Sequence, residues 1–156
     1  MKIKFIFVGT NKGIYVEEGI DLYKKRLKRF TKLDFIHTSN LKGIKNPQEQ
    51  KDKECAQILK NISQKDFLVL LDEKGKRFSS LNFANEMESL KNQGTTQLSF
   101  VICGAFGAND LLKKRANLIL SLSDLTYSHQ LARVVLLEQV YRMFTIIHKH
   151  PYHNEG

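Results

Sequence analysis

Three short runs of this chain are almost wholly apolar: Phe67 to Leu71, Leu98 to Ile102 and Leu118 to Leu122, the last two broken only by Ser99 and Ser121. A strand that shows one face to water alternates apolar and polar residues. A strand without a polar face must be covered on both sides, which is the habit of parallel sheets. Segments of helical period lie between these runs and can supply the cover. Val16, Ile20, Tyr23, Leu27 and Phe30 recur at steps of three and four, one face of an amphipathic helix. Asn46-Pro47 followed by Glu49 reads as a helix start, with a capping side chain, a proline in the first turn and an acid able to reach back. That helix is expected to run to about Ile62 and to bury Cys55, Ile58, Leu59 and Ile62.

Further helices are expected over 80–92, with Ser80 as cap and Gly94 just past the end, over 109–117, and from His129 to about Ile147. Ile3 to Val8 and Leu33 to Thr38 read as two more strands. The order predicts one α/β domain over residues 1–156, a mainly parallel sheet with helices on both faces. At 156 residues and 42% hydrophobic, the chain is long enough to bury one full core.

A net charge of +9 favours a polyanionic partner, although a merely basic protein has the same composition. Six cations fall within nine residues at Lys24, Lys25, Arg26, Lys28, Arg29 and Lys32. They sit well at a helix C-terminus, and as a group they also suit contact with phosphates. Two cysteines, Cys55 and Cys103, without metal spacing suit a reduced compartment. No stretch approaches the roughly 20 apolar residues that span a bilayer. The start, "MKIKFIFVGTNKG", alternates like a strand and is too short for a signal peptide. A cytoplasmic protein without membrane contact is expected.

Ligands of open α/β sheets sit beyond the carboxyl ends of the strands. Three such ends stand out: Asp72-Glu73-Lys74-Gly75-Lys76, Cys103-Gly104-Ala105-Phe106-Gly107, and the run Ser123 to His129. Gly104 and Gly107 would let the backbone approach a ligand, but alone they also fit ordinary turns. The loop is neither G-x-G-x-x-G nor a Walker loop. His148, His150 and His153 lack the spacing of a metal site, so no metal is expected. A hydrolase elbow, G-x-S-x-G, is absent from the sequence. His129, at a helix start, is by itself more often a structural residue than a catalyst.

The segment "LTYSHQLARVVLLEQVYRMFTIIHKHPYH", together with "FVICGAFG" and "MKIKFIFVGTNKG", resembles the RlmH (YbeA) family of SPOUT methyltransferases. The likeness runs in order along essentially the whole chain. Its most specific residues are Thr126, His129, Arg133-Val134, Glu138-Gln139, Tyr141-Arg142 and Pro151-Tyr152-His153. The resemblance implies an α/β-knot fold with a C-terminal trefoil knot. It also implies a homodimer that transfers a methyl group from S-adenosylmethionine to N3 of a pseudouridine in large-subunit (23S) rRNA, on the assembled ribosome. Carried over, the cofactor loops are Leu71, then Cys103, Gly104 and Gly107, then Leu122, Ser123, Asp124, Leu125, Thr126, Tyr127 and Ser128. The expected catalytic group is Arg142, Tyr152 and His153, with His129 shaping the loop. The tail beyond His148 is expected to reach the partner's site. Two positions depart from the family pattern, which usually has glycine at Cys103 and proline at Ser128.

Methyl transfer from a sulfonium needs orientation above all, and a cation near N3 would stabilise the anion left when its proton departs. A branched side chain at 104 is expected to fill space that a ligand needs. The apolar stripe Val134, Val135, Leu137, Val140, Tyr141, Phe144 and Ile147 is expected to supply a two-fold interface. Two alternatives remain at this level: a non-catalytic RNA- or ribosome-binding protein of the same fold, and a methyltransferase for another RNA site.

Overall fold

The apolar runs become neighbours in one five-stranded sheet, and the computed structural model describes residues 1–154 of the chain. Its elements in order are β1 (Lys2–Val8), α1 (Ile14–Leu27), β2 (Leu33–Thr38), α2 (Pro47–Lys60), β3 (Phe67–Lys76), α3 (Ser80–Asn92), β4 (Gln97–Ile102), α4 (Asp110–Arg115), β5 (Leu118–Leu120) and α5 (His129–Ile147). The strand order is β2-β1-β4-β3-β5, and every pairing is parallel. With both faces covered, β1 and β4 bury nearly every side chain, as their sequences require.

Alternate residues of the strands feed two cores. Ile3, Phe5 and Phe7 of β1 face α1, α3 and α5, while Ile6 and Val8 face α2 and α4. Phe5 stacks between Phe35 of β2 and Phe100 of β4, at ring distances of 5.0 and 5.6 Å. Each such buried ring contributes on the order of 1.5–3 kcal/mol of transfer free energy. Helix α1 comes close to α5 because Gly19 has no side chain: a Cβ there would stand 2.8 Å from Cγ1 of Val134. Among the described residues no helix is long and apolar enough to cross a membrane.

Local capping signals fix most helix starts. Asn46 accepts from the N–H groups of Gln48 and Glu49, with Pro47 at the first position. Glu49 does not reach back; it pairs with Lys53 at 2.9 Å, so only half of the expected box forms. The cap of α3 is Ser79, not Ser80, and its hydroxyl accepts from the Asn82 N–H. Ser80 lies inside the helix and donates instead to Gln139 on α5, at 2.9 Å. Asn109 and Ser128 cap α4 and α5.

Two strands depart from their expected lengths. β5 is only Leu118–Leu120, and β3 continues five residues past its apolar run to Lys76. The two differences have one cause. Leu120 is paired with Leu71 and again with Lys76, and the Ser121 N–H donates to the Lys76 carbonyl at 3.0 Å. Successive residues of a strand turn their backbone groups to opposite edges. β3 therefore lies along one edge of β5, crosses it, and pairs again in the same direction on the other. Gly75 marks the crossing: a Cβ there would stand 2.7 Å from backbone atoms of Ile119 and Leu120. The strap covers the end of the second edge of β5, at Leu120 and Ser121.

Helix α5 packs between α1 and α3 rather than lying on one sheet contact alone. Leu137, Val140, Tyr141 and Phe144 are buried within the protomer. Most of the stripe expected to face a second subunit is thus covered by the chain itself, leaving Val134, Val135 and Ile147 half-buried.

Candidate active site

Three loops at the carboxyl ends of β3, β4 and β5 meet around a cavity of about 540 Å3. That lies within the roughly 300–1,000 Å3 usual for small-molecule sites. Leu71, Ile102, Leu120 and Leu122 give it an apolar floor, and the Gly104 and Ser123–Tyr127 loops give it walls of backbone. Of the residues expected there, Leu71, Cys103, Gly104, Gly107, Leu122, Ser123, Leu125, Thr126, Tyr127 and His129 line it. Asp124 and Ser128 do not. Asp124 points outward in an exposed ion pair with Arg77, and the Ser128 hydroxyl is spent capping α5.

The β5 loop is held from several sides. Thr126 donates its hydroxyl to Glu73 on the strap, at 2.8 Å. Within the loop the Ser121 hydroxyl donates to the Ser123 carbonyl, and the Leu125 N–H donates to the Ser123 hydroxyl. In the β4 loop Gly107 takes φ +74°, which favours glycine. Gly104 is constrained differently. A Cβ at this position would point away from the cavity, 2.7 Å from Oε2 of Glu54 and 3.3 Å from Cγ1 of Val8. The expectation that a side chain at 104 would fill ligand space is therefore corrected: it would collide with the protein behind the wall.

Glu54 itself is buried at 5% exposure. Gln50 donates to its Oε1 at 2.9 Å, and its Oε2 has no partner among the described residues. Lys51 on α2 and Lys113 on α4 bring cations to the rim. These three residues carry no local signal in sequence, since they reach the site from helices distant along the chain.

The start of α5 is tied to the end of β1. Arg133 is fully buried, donating to the carbonyls of Val8 (2.6 Å) and Gly9 (3.1 Å) and to Asn11 Oδ1 (3.1 Å), over the Phe7 ring. Burial lowers its pKa to about 10. Gln130 clamps the same loop, accepting from the Lys12 N–H and donating to the Thr10 carbonyl. His129 sits beside this cluster with its Nδ1 buried and unpartnered among the described residues. Burial, and then the nearby Arg133 and Lys12 charges, lower its pKa and favour the neutral ring.

Arg142, Tyr152 and His153 gather elsewhere, none of them lining the cavity. Arg142 donates to Glu138 from Nε (3.1 Å) and Nη2 (2.5 Å) and lies over the Tyr152 ring. Tyr152 donates its hydroxyl to Glu138 and packs edge-on against Tyr141, 4.8 Å between centroids. Core packing thus accounts for part of the tail, contrary to the absence of apolar period in its sequence. Burial first, then Tyr23 and Glu138, raise the Tyr152 pKa, so the phenol stays protonated. Arg142 Nη1 stands 3.2 Å from Nδ1 of His153. A guanidinium only donates, so this nitrogen accepts and the ring proton lies on Nε2. His148 also turns inward, its Nδ1 2.9 Å from the Phe144 carbonyl at the end of α5.

The expected cationic face is also partly used by the fold. Lys24 lies over Phe35, and Arg26 lies over Tyr23 and Tyr141. Lys25, Lys28, Arg29 and Lys32 remain exposed.

The family model described as "Predicted SPOUT methyltransferase" matches residues 1–153. The chain belongs to the SPOUT methyltransferase family. Among curated relatives, the "Ribosomal RNA large subunit methyltransferase H" of Flavobacterium johnsoniae is 41% identical, covering 99% of this chain and all of its own. The protein of the same name from Streptococcus suis is 42% identical, covering 98% of this chain and 99% of its own. A looser likeness, TM-score 0.44 at 12% identity over 90% of this chain and 57% of the other, is to a SpoU methyltransferase, AviRb of Streptomyces viridochromogenes, in complex with AdoMet. That last likeness is too distant to inform the site. In this SPOUT chain the three-loop cavity and the Arg142 group are two separate places.

Proposed function

We propose that this protein methylates N3 of a pseudouridine in large-subunit rRNA, on the assembled ribosome, with S-adenosylmethionine as donor. The single observation that supports it most is the three-loop cavity in a chain that matches its methyltransferase relatives from end to end. The residues present fit the donor. Leu71, Ile102 and Leu122 suit an adenine ring, and the backbone of the two loops offers hydrogen bonds to polar groups. Bound there, the donor supplies a methyl group on a positively charged sulfur.

The chain itself supplies placement and charge. Arg142 is held as a cation by Glu138, which raises its pKa. It is suited to stabilise the anion formed when N3 loses its proton. Tyr152, neutral and half-buried, offers a ring for stacking a base. His153, as held by Arg142, presents its Nε2–H as a donor. Neutral His129 helps to fix the loop where α5 begins.

Because Arg142, Tyr152 and His153 do not line their own protomer's cavity, a complete site calls for a second copy. The reading is therefore a homodimer in which the tail of one subunit covers the cavity of the other. The whole chain acts as one domain, working in the cytoplasm. The strap of β3 around β5 is assigned to the C-terminal knot that the family resemblance implies. The exposed cations Lys25, Lys28, Arg29 and Lys32 are a surface for rRNA phosphates.

Calorimetry with S-adenosylmethionine and mass spectrometry of rRNA from a deletion strain test the reading together. Binding by the protein, and an unmethylated pseudouridine in the strain, are expected. Fully methylated rRNA in the deletion strain overturns the substrate assignment. A protein that does not bind the donor is an RNA-binding relative without turnover.

A further inference from the structure

Two buried thiols stand at the cavity wall, one on it and one behind. Cys55 on α2 and Cys103, the residue after β4, are 1% and 7% exposed and belong to the same buried cluster. The Cys55 sulfur also accepts from the Asn109 N–H at 3.4 Å and lies 3.9 Å from the Gly107 carbonyl. The neighbouring residues meet, Glu54 against Gly104. Cys55 and its neighbour Glu54 thus both reach the loop that begins at Cys103. Cys103 lines the cavity while Cys55 lies behind it. Methyl transfer uses neither thiol.

We propose that Cys55 and Cys103 form a peroxide-reactive dithiol whose oxidation to an intramolecular disulfide weakens binding in the adjoining cavity. The effect on binding rests on the assignment of that cavity to S-adenosylmethionine. A disulfide fixes its two sulfurs about 2.05 Å apart. The wall must follow. Gly104, the next residue, is backed by the Glu54 carboxylate and the Val8 side chain. A shift of Cys103 is passed directly to the loop that lines the cavity.

The chemistry is suited to the pair. Hydrogen bonding from Cys103 lowers the Cys55 pKa to about 7, while Cys103 is raised by the same contact and by burial. Cys55 is thus the thiol of the pair that ionises more readily. A peroxide is small enough to enter a cavity of about 540 Å3. The thiolate sulfur attacks one peroxide oxygen; the S–O bond forms, the O–O bond breaks, and the departing hydroxide takes the second thiol's proton as water. The second thiolate then attacks the sulfenic sulfur, and the hydroxide it expels leaves as water with a solvent proton. Overall two thiols and one peroxide give one disulfide and two waters. The sulfurs are oxidised and the peroxide oxygens reduced.

The test treats the reduced full-length protein with hydrogen peroxide, maps its peptides by mass spectrometry without reductant, and measures S-adenosylmethionine binding by calorimetry. Expected are a Cys55–Cys103 crosslink, a loss of affinity of at least about tenfold, and recovery with dithiothreitol. Saturating donor added beforehand should slow the crosslink. Cys55→Ala, which lies outside the cavity lining, should bind the donor normally and keep its affinity after peroxide. Separate sulfinic acids, intermolecular crosslinks, or a crosslinked protein with full affinity each overturn the proposal. If the reduced protein does not bind the donor, the cavity assignment falls and takes the binding effect with it. The peptide map still judges the dithiol separately.

Discussion

The unpartnered carboxylate oxygen of Glu54 lies 2.7 Å from the point where a Cβ on residue 104 would stand, so the glycine and the buried acid fix each other's place. Gly104→Ala should push the acid or the loop aside and lower donor affinity by about tenfold or more. Gly104→Val should abolish binding while circular dichroism still reports a folded protein. If the acid is the obstacle, adding Glu54→Ala to Gly104→Ala should restore part of the loss. Strict additivity across that double-mutant cycle, read by calorimetry, would show that the two do not interact.

Arg133 is a fully buried cation held by two carbonyls and an amide oxygen. Arg133→Met should strand the carbonyls of Val8 and Gly9 and cost about 2–4 kcal/mol in urea unfolding. Arg133→Lys should recover only part of this, because an ammonium lacks the planar fork that reaches three acceptors. A loss below about 0.5 kcal/mol in Arg133→Met would mean that the loop after β1 stands without it.

His129 predicts a pH dependence. Its folded pKa is depressed by burial and by Arg133 and Lys12, so the unfolded chain binds a proton more readily than the fold. The stability owed to the neutral ring is complete above the unfolded value of about 6.5. It is lost as pH falls from there through the folded pKa. Melting temperature followed over this range should drop more in the wild type than in His129→Gln. Parallel curves would remove His129 from the account.

The tail is docked on its own α5, yet it is not needed for the sheet or the cavity. Truncation after His150 should leave dimerisation and donor binding intact, with a small loss of thermal stability from the missing Tyr141–Tyr152 contact. Methylation of ribosomes should vanish. Wild-type turnover by the truncated protein would make the tail a passive end.

Gly75 passes over the backbone of β5. Gly75→Ala should cost about 1–3 kcal/mol through overlap with groups that cannot rotate away, with the melt as readout. A neutral substitution would mean that the strap is looser than the 2.7 Å approach indicates.

Much of this fold is legible in the sequence because its signals are local. The Asn46-Pro47 start, the glycine after α3 and the bounds of α5 follow from caps and period. The strap is not legible. Asp72 to Lys76 is polar and without period, and it becomes strand only because β5 offers a second edge. Ser79 and Ser80 are adjacent hydroxyls, and the packing of Ser80 against Gln139 decides which one caps. The α5 stripe shows clearly, but period alone cannot say whether α1 and α3 or a second copy will cover it. Lys51, Lys113 and Glu54 reach the site from α2 and α4, where nothing nearby marks them.

Helix α5 is synthesised after all five strands of the sheet it covers, and this sets the order in which they can be buried. Phe5, Phe7 and Phe100 share one core with Leu136, Leu137 and Val140 of that helix. While translation continues, the sheet face that holds these rings has α1 and α3 but not the helix that packs between them. A chain that stalls before residue 129 would present an aromatic groove to the cell. Holdase chaperones should therefore engage stalled chains that end short of α5 and release those that include it.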